Sequence, residues 1–405
     1  MSAPALTGVL GPRPLALALL GMAVGSFAIG TTEFATMGLL PQVAESFGAT
    51  IPEAGHLVSA YALGVVVGAP LIVLATSRAP RTGLLVALAL ALAVGNALSA
   101  LAPTLPTALL ARFLAGVPHG AYFGIAAVVA SAVSPPQRRA RSVSLVMIGL
   151  TVATMLGVPL STAMGQAWGW RSLYWLVAAV AVVAGAAIWR WVPPVPVRAG
   201  ATARRELTAL RSLQLWLAVG TGAIGFGGMF AVYSYITPTM TEVAGLAPTQ
   251  VPWVLFVFGV GMTLGTLVGG RLADRTVHGA ITTGLAAMAV TLAAFGALVR
   301  GPVSAVLLVV LVSVASQFIG PALQTRLLDV SREGPSLGAA LHHSALNIGN
   351  ALGAWVGGLV IAAGLGYLAP AWAGAVLALA GLAIALLAVA LERRSGAPGP
   401  STRIG

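Results

Sequence analysis

The chain has 405 residues, 58% hydrophobic and 7% charged, with a mean hydropathy of +0.97. A soluble domain carries roughly 25% charged residues, so this composition cannot cover a water-facing surface, and the chain reads as an all-α polytopic membrane protein. The net charge of +12 comes from 21 Arg with no Lys; they sit in short loops between apolar runs rather than along one basic face, which argues against nucleic acid and for membrane topology. Zero Cys leaves no disulfide framework, thiolate metal site or thiol nucleophile. Zero Lys removes any P-loop, whose Lys must reach the phosphates, so ATP-driven transport by this chain is not expected.

A span needs ~20 mostly apolar residues. Runs broken by Arg, Pro or polar clusters leave twelve candidates, near residues 15–40, 54–76, 82–102, 105–132, 141–166, 171–192, 212–240, 250–272, 279–299, 302–327, 336–363 and 367–391. The first is too long for a leader's apolar core and has no small-residue cleavage site. It ends in TTEFATMGLLP, where Glu33 is a carboxylate inside an apolar segment. The second runs into GAPLIVLATSRAPR. The fourth holds RFLAGVPHGAY, with Arg112 inside the span and His119 seven residues on, roughly on the same helical face. The fifth carries GLTVATMLGVPLS, with Gly149, Gly157 and Pro159; small residues allow close helix approach and Pro bends a span. Between the sixth and seventh lies a Pro-, Ala- and Arg-rich stretch, 193–211, which reads as a linker. The eighth ends in GGRLADR, with Gly265 before it and Asp274 and Arg275 at its close. Tyr122, Tyr233, Tyr235, Gln317 and Asn347, with Gln324 and Asn350, are polar or aromatic positions that could line a cavity. His342 and His343 open the eleventh span with no acid or Cys beside them, so no metal site is expected.

Arg placement orients the chain. Eighteen Arg fall on one side of a twelve-span arrangement, only Arg171 and Arg300 on the other, and Arg112 inside a span. That asymmetry makes the Arg-rich side cytoplasmic, with both termini on it. The halves also repeat. Residues 68–78 align with 265–275 at an offset of 197, which also takes Pro41 to Pro238 and Gly64 to Gly261; Gly149 and Gly157 recur 200 residues on as Gly349 and Gly357. Expected units are 1–192 and 212–391, two pseudo-symmetric six-helix halves, with a linker at 193–211 and a tail at 392–405. Parallel repeats place a substrate site at their interface near the midplane.

With these segments in place, the chain resembles the major facilitator superfamily, specifically its twelve-helix drug:proton antiporter branch of arabinose-efflux-like, purine-nucleoside-efflux and chloramphenicol-exporter proteins. TTEFATMGLLPQVAESFG is the most specific piece. The resemblance implies a transporter of the bacterial inner membrane that exports a small molecule against protons by alternating access, as a monomer without a cofactor. RFLAGVPHG is similar to the family's intramembrane RxxxG motif. GLTVATMLGVPLS looks like the antiporter motif, though Val158 separates Gly157 from Pro159 and the terminal glycine pair is absent. In the family's loop motif, GxxxDRxGR, Ser77 replaces the acid of the first copy while Asp274 and Arg275 keep the second. The resemblance therefore implies an inner latch at Gly265, Asp274 and Arg275, stronger than its counterpart at Ser77.

Glu33 lies eight residues before Pro41 and Arg112 seven after Leu105, so they sit ~12 Å and ~10 Å below the outer ends of their helices. Burial and a neighbouring Arg pull a carboxyl's proton affinity in opposite directions, which makes Glu33 the expected proton carrier, Arg112 its modulator and His119 the next candidate. Phe230 stands at the repeat-related position, so packing symmetry does not demand an acid at 33. Two other functions remain open on sequence alone: a facilitator or symporter importing a solute, and a polytopic membrane enzyme, which would need a convergent acid–His cluster that the spans lack. Cysteines introduced at Ser2 and Ser401 should be shielded from membrane-impermeant maleimide in intact cells; labelling of either from outside would overturn the topology.

Overall fold

The computed structural model describes residues 9–76, 78–195, 209–331 and 335–394, and every regular element among them is helical. Ser77, most of the 193–211 linker and both chain ends lie outside the described residues. Twelve helices are long and apolar enough to cross a membrane. In chain order they are α1 (Pro12–Gly38), α2 (Ile51–Ala75), α3 (Arg81–Leu101), α4 (Leu105–Val133), α5 (Pro136–Trp168) and α6 (Arg171–Trp191), then α7 (Leu213–Tyr233), α8 (Pro248–Arg275), α9 (Val277–Leu298), α10 (Pro302–Val330), α11 (Leu337–Ala362) and α12 (Ala369–Arg394). The expected runs are found with their ends moved by a few residues, because polar caps and Pro set the boundaries. At the start of α2, the Thr50 side chain accepts from the Glu53 N–H and the Glu53 carboxylate accepts from the Thr50 N–H at 2.7 Å, with Pro52 in the first turn. Thr104 and Thr107 cap α4 in the same reciprocal way. Such caps satisfy helix-end N–H groups that hydrocarbon would leave bare. Beyond α1, a short helix at Leu40–Phe47 stops at Gly48, whose φ of 61° is a left-handed value that Gly adopts without strain.

The two halves pack alike. In the first, α1 lies on α5 and α6, α3 on α6, and α2 on α4; in the second, α7 lies on α11 and α12, α9 on α12, and α8 on α10. Glycines set the tightest crossings. A Cβ at Gly64 would meet the Phe113 carbonyl, and one at Gly116 would meet the Tyr61 carbonyl, so α2 and α4 touch backbone to backbone. The repeat partner of Gly64, Gly261, serves the α8–α10 crossing against Val310 and Ser313. Side-chain contact is otherwise mostly dispersion, since lipid offers no hydrophobic drive between helices. Exposed Trp168, Trp189, Trp216, Trp253 and Trp372 mark helix ends, where indole rings favour the membrane–water interface.

The halves meet along two seams, α2 on α11 and α5 on α8. Ser59 donates to the Ala351 carbonyl at 3.1 Å in the first. In the second, Gly259 of α8 lies against the backbone of Thr154 and Met155, where α5 widens into a π-turn over Ala153–Gly157. Pro159 explains that turn: it has no N–H for the carbonyl four residues back, and the Val158 N–H reaches back to Ala153 instead. The halves are also tied where α1 and α5 end. Thr237, just past α7, donates to the Gly38 carbonyl at 3.0 Å, and Gln166 of α5 donates to the Pro248 carbonyl at 3.0 Å. Gly116→Ala should cost about 1–3 kcal/mol through overpacking, read as a lower thermal midpoint of purified protein. Gly124→Ala in the same helix, where a Cβ meets nothing within 4 Å, should be neutral or stabilise by up to ~1 kcal/mol; equal effects would contradict the crossing described.

Candidate functional site

The polar centre begins with two successive residues of α1. Thr32 and Glu33 point about 100° apart around a helix of 3.6 residues per turn, so one can serve its own half while the other faces the partner half. Thr32 does the former. Its hydroxyl donates to Asn96 Oδ1 of α3 at 2.6 Å and accepts from Arg112 Nη1 of α4 at 2.9 Å, while Arg112 Nη2 donates to the Thr32 carbonyl at 3.1 Å. Arg112 is 1% exposed, and its guanidinium lies over the faces of Tyr61 at 4.3 Å and Tyr174 at 5.3 Å. The charge is thus held by a carbonyl, a hydroxyl and two ring faces, each of which stabilises a cation.

Glu33 does the latter. Its buried carboxyl lies against the Asn350 amide of α11, with Tyr61 and Tyr233 within electrostatic reach. Glu33 and Arg112 interact through space but make no ion pair. Among the described residues the ion pairs all involve Glu392, with Arg326 at 2.9 Å and His278 at 3.2 Å. The guanidinium's Nη donors are taken by Thr32, one residue away and on a different face. Phe34 continues the interface, stacked on Phe230 of α7 at 5.9 Å and edge-on to Tyr233 at 5.6 Å. The residue at the repeat-related position of Glu33 is therefore an aromatic neighbour of the acid's own helix.

Further along α4, His119 Nδ1 is 3.0 Å from the Tyr61 hydroxyl, and its ring meets His343 of α11 at 5.9 Å. Asn347 donates to the His343 carbonyl at 3.1 Å. Asn347 Oδ1, both amide atoms of Asn350 and Arg112 Nε are buried without a hydrogen bond of standard geometry. Buried polar atoms usually find partners, so this cluster is where a polar ligand or water would be welcomed.

Several candidates sit elsewhere. The Tyr122 hydroxyl is committed to the Met22 carbonyl at 2.8 Å, with the ring over Gly25, and Tyr235 donates to the Ala354 carbonyl at 2.7 Å between Gly55 and Gly357. Both are packing residues. Gln317 lies beside Gly265 in the α8–α10 crossing. Gly149 rests on the Ala23 carbonyl and Gly157 on Thr31 and Phe27, so with Pro159 they seat α5 on α1. Asp274 and Arg275 are exposed and form no ion pair among the described residues. Sequence reasoning passed over Tyr61, Asn96 and Phe123, each unremarkable until a helix crossing brings it to a charge or ring. It also passed over the network at the shared end of α7, α10 and α12, in which Arg326 of α10 donates to Glu392 of α12 and to Gln214 of α7 at 2.9 Å. A buried Arg near a span's end was the available signal.

Twelve spans in two like halves, with polar and charged groups buried where the halves meet, define a membrane transporter. The chain matches the family model of the Major Facilitator Superfamily over residues 22–336 and 222–404. It is 39% identical over 376 residues to the Inner membrane transport protein YdhP of Escherichia coli strain K12, covering 93% of this chain and 96% of that protein. It is 33% identical over 398 residues to a Chloramphenicol resistance protein of Streptomyces lividans, covering 96% and 100%. The fold superposes on the crystal structure of a bacterial homologue of the human lysosomal transporter Spinster, inward-facing and occupied, with a TM-score of 0.75, 16% identity and 96% and 100% coverage. The chain belongs to the Major Facilitator Superfamily, a family of transporters rather than enzymes.

Thr32→Val would leave Arg112 Nη1 and Asn96 Oδ1 without their shared hydroxyl. It should cost about 1–3 kcal/mol, measured as a lower thermal midpoint; an unchanged midpoint would show that the network contributes nothing.

Proposed function

We propose that this protein is a proton-coupled exporter of small molecules working by alternating access, with Glu33 as the proton carrier. The observation that carries the reading is a carboxyl buried at the interface of the halves, against Asn350, and not ion-paired to the buried Arg112 beside it. A carboxyl locked to a guanidinium would stay ionised. One that only feels the charge through space can exchange its proton when substrate or water alters its surroundings. Arg112 then sets the affinity of Glu33 for the proton, and His119 is a secondary group toward the cytoplasm. Tyr233 and Asn347 are the substrate contacts that remain from the sequence reading, joined by Asn350. Export rather than import is supported by the Streptomyces relative's description as a resistance protein.

The moving units are the halves 1–192 and 212–391, tethered by the 193–211 linker, in a monomer placed in the bacterial inner membrane with both termini and the 392–405 tail cytoplasmic. The Asp274–Arg275 latch, with Gly265, closes the inner side in the outward-open state, where the acid can face the positive N-terminus of a helix of the other half. Inverted vesicles under a pH gradient test the coupling, with chloramphenicol and a panel of monosaccharides and nucleosides as probes. Glu33→Gln should abolish gradient-driven uptake while leaving substrate exchange measurable. Uphill transport by that variant would place the proton carrier elsewhere, and accumulation only in right-side-out vesicles would make the protein an importer.

A further inference from the structure

We infer that His119 of α4 and His343 of α11 form a second proton-binding site, one ring from each half, whose protonation parts α4 from α11 on the cytoplasmic side. The inference rests on the alternating-access reading above and adds the group that senses cytoplasmic protons. His119 stands seven residues beyond Arg112 on α4, ~10 Å closer to the cytoplasm. Its ring meets His343 edge to face at 5.9 Å, and His343 in turn stacks on Phe123 of α4 at 5.0 Å with only 6° between the planes. Backbones approach closely here: a Cβ on Gly120 would crowd Ala69 of α2 and meet His343 Cβ at 3.3 Å. Ser344 adds a bond across the same seam, to the Val66 carbonyl at 3.4 Å. The contact between the halves at this level is therefore built on two imidazoles and a phenyl ring.

No carboxylate bonds either ring among the described residues. From α2 comes the Tyr61 hydroxyl, on His119 Nδ1 at 3.0 Å. From α11 comes His342, at 5.5 Å from His343. From α4 itself comes Arg112, on the far side of Tyr61 at 4.3 Å from that ring. Glu33 of α1 lies within reach of Tyr61 and Tyr233 and forms no ion pair with either imidazole. Arg139 and Arg141 at the start of α5 are exposed, Arg81 starts α3 at its cytoplasmic end, and Arg326 of α10 is taken by Glu392 and Gln214. The charges facing the pair are cationic or distant, and no carboxylate bonds it. A proton on either ring turns an acceptor nitrogen into a donor and puts a cation beside another imidazole, away from water and with no carboxylate bonded to it among the described residues, a desolvation cost that the Phe123 face offsets only in part. Separating the helices admits water to that charge. The open form thus binds more protons than the closed one, and linkage requires that falling pH favour opening.

The Cys-free chain allows a direct test. Ala69→Cys reports the seam, and Gln137→Cys, in the exposed first turn of α5, reports the reagent's own pH dependence. The ratio of their maleimide labelling rates in purified protein should rise at least about fivefold from pH 8 to pH 5.5, bracketing an exposed imidazole's titration near 6.5. His343→Phe and His119→Phe should each flatten that rise with the seam still shielded at pH 8. His343→Gln, polar but not titrating in this range, should flatten it too and guards against a folding defect in the Phe variants. Glu33→Gln should keep the rise, which separates this site from the carrier. A flat profile in the parent, or an unchanged rise in both His119 and His343 variants, would overturn the inference.

Discussion

A guanidinium in hydrocarbon must find all its partners within the chain, and the way Arg112 does so organises the centre of this protein. On insertion scales an Arg at mid-span costs roughly 2.5–3.5 kcal/mol, and here the offsetting contacts come from three helices of one half: Thr32 on α1, Tyr61 on α2 and Tyr174 on α6. Asn96 of α3 is drawn in through the same hydroxyl. The charge is thereby held by neutral groups of its own half. Had Glu33 been the partner, the acid would have been tied to α4 and unavailable to the other half.

That arrangement separates two tasks that adjacent residues could easily have confused. Thr32 and the packing glycines of α1, α2, α4 and α5 hold the first half together backbone to backbone. Glu33 and Phe34, on the other faces of the same turn, meet Asn350, Phe230 and Tyr233, which belong to the partner half. Halves with a polar and aromatic contact between them can exchange one interface for another without breaking their internal bonds, which is the mechanical requirement of alternating access. The seams are of two kinds: ties such as Thr237 to Gly38 are single hydrogen bonds, each worth about 0.5–1.5 kcal/mol, while the α2–α11 seam is as extensive as any crossing inside a half.

The α11 helix collects most of what faces the first half. His343, Asn347 and Asn350 fall at intervals of four and three, one stripe on one face, and the stripe runs from the His119 contact to the Glu33 carboxyl. A polar stripe buried at a seam is costly when dry, and its unpartnered amide atoms mark it as a surface that is satisfied only when something polar lies between the halves.

The sequence by itself determined the spans, the internal repeat and the presence of one acid and one Arg at matching depth. Those features follow from composition and period, since a bilayer admits only long apolar helices, and length and charge are local properties. The family resemblance was equally legible, resting on contiguous phrases such as TTEFATMGLLP. What the tertiary structure alone decided is which face each residue presents and to whom. Glu33 and Thr32 differ by a rotation of about 100°, too fine for depth counting, so a pair at equal depth proved to be neighbours without an ion pair. Tyr122 and Tyr235 were indistinguishable from Tyr233 as letters, yet a carbonyl within reach of each hydroxyl took them out of the site. The His119–His343 contact joins residues 224 positions apart in sequence, and nothing in either local stretch encodes it. It exists because α4 and α11 come from different halves, and helix-to-helix register is fixed by packing along the whole seam rather than by any one residue.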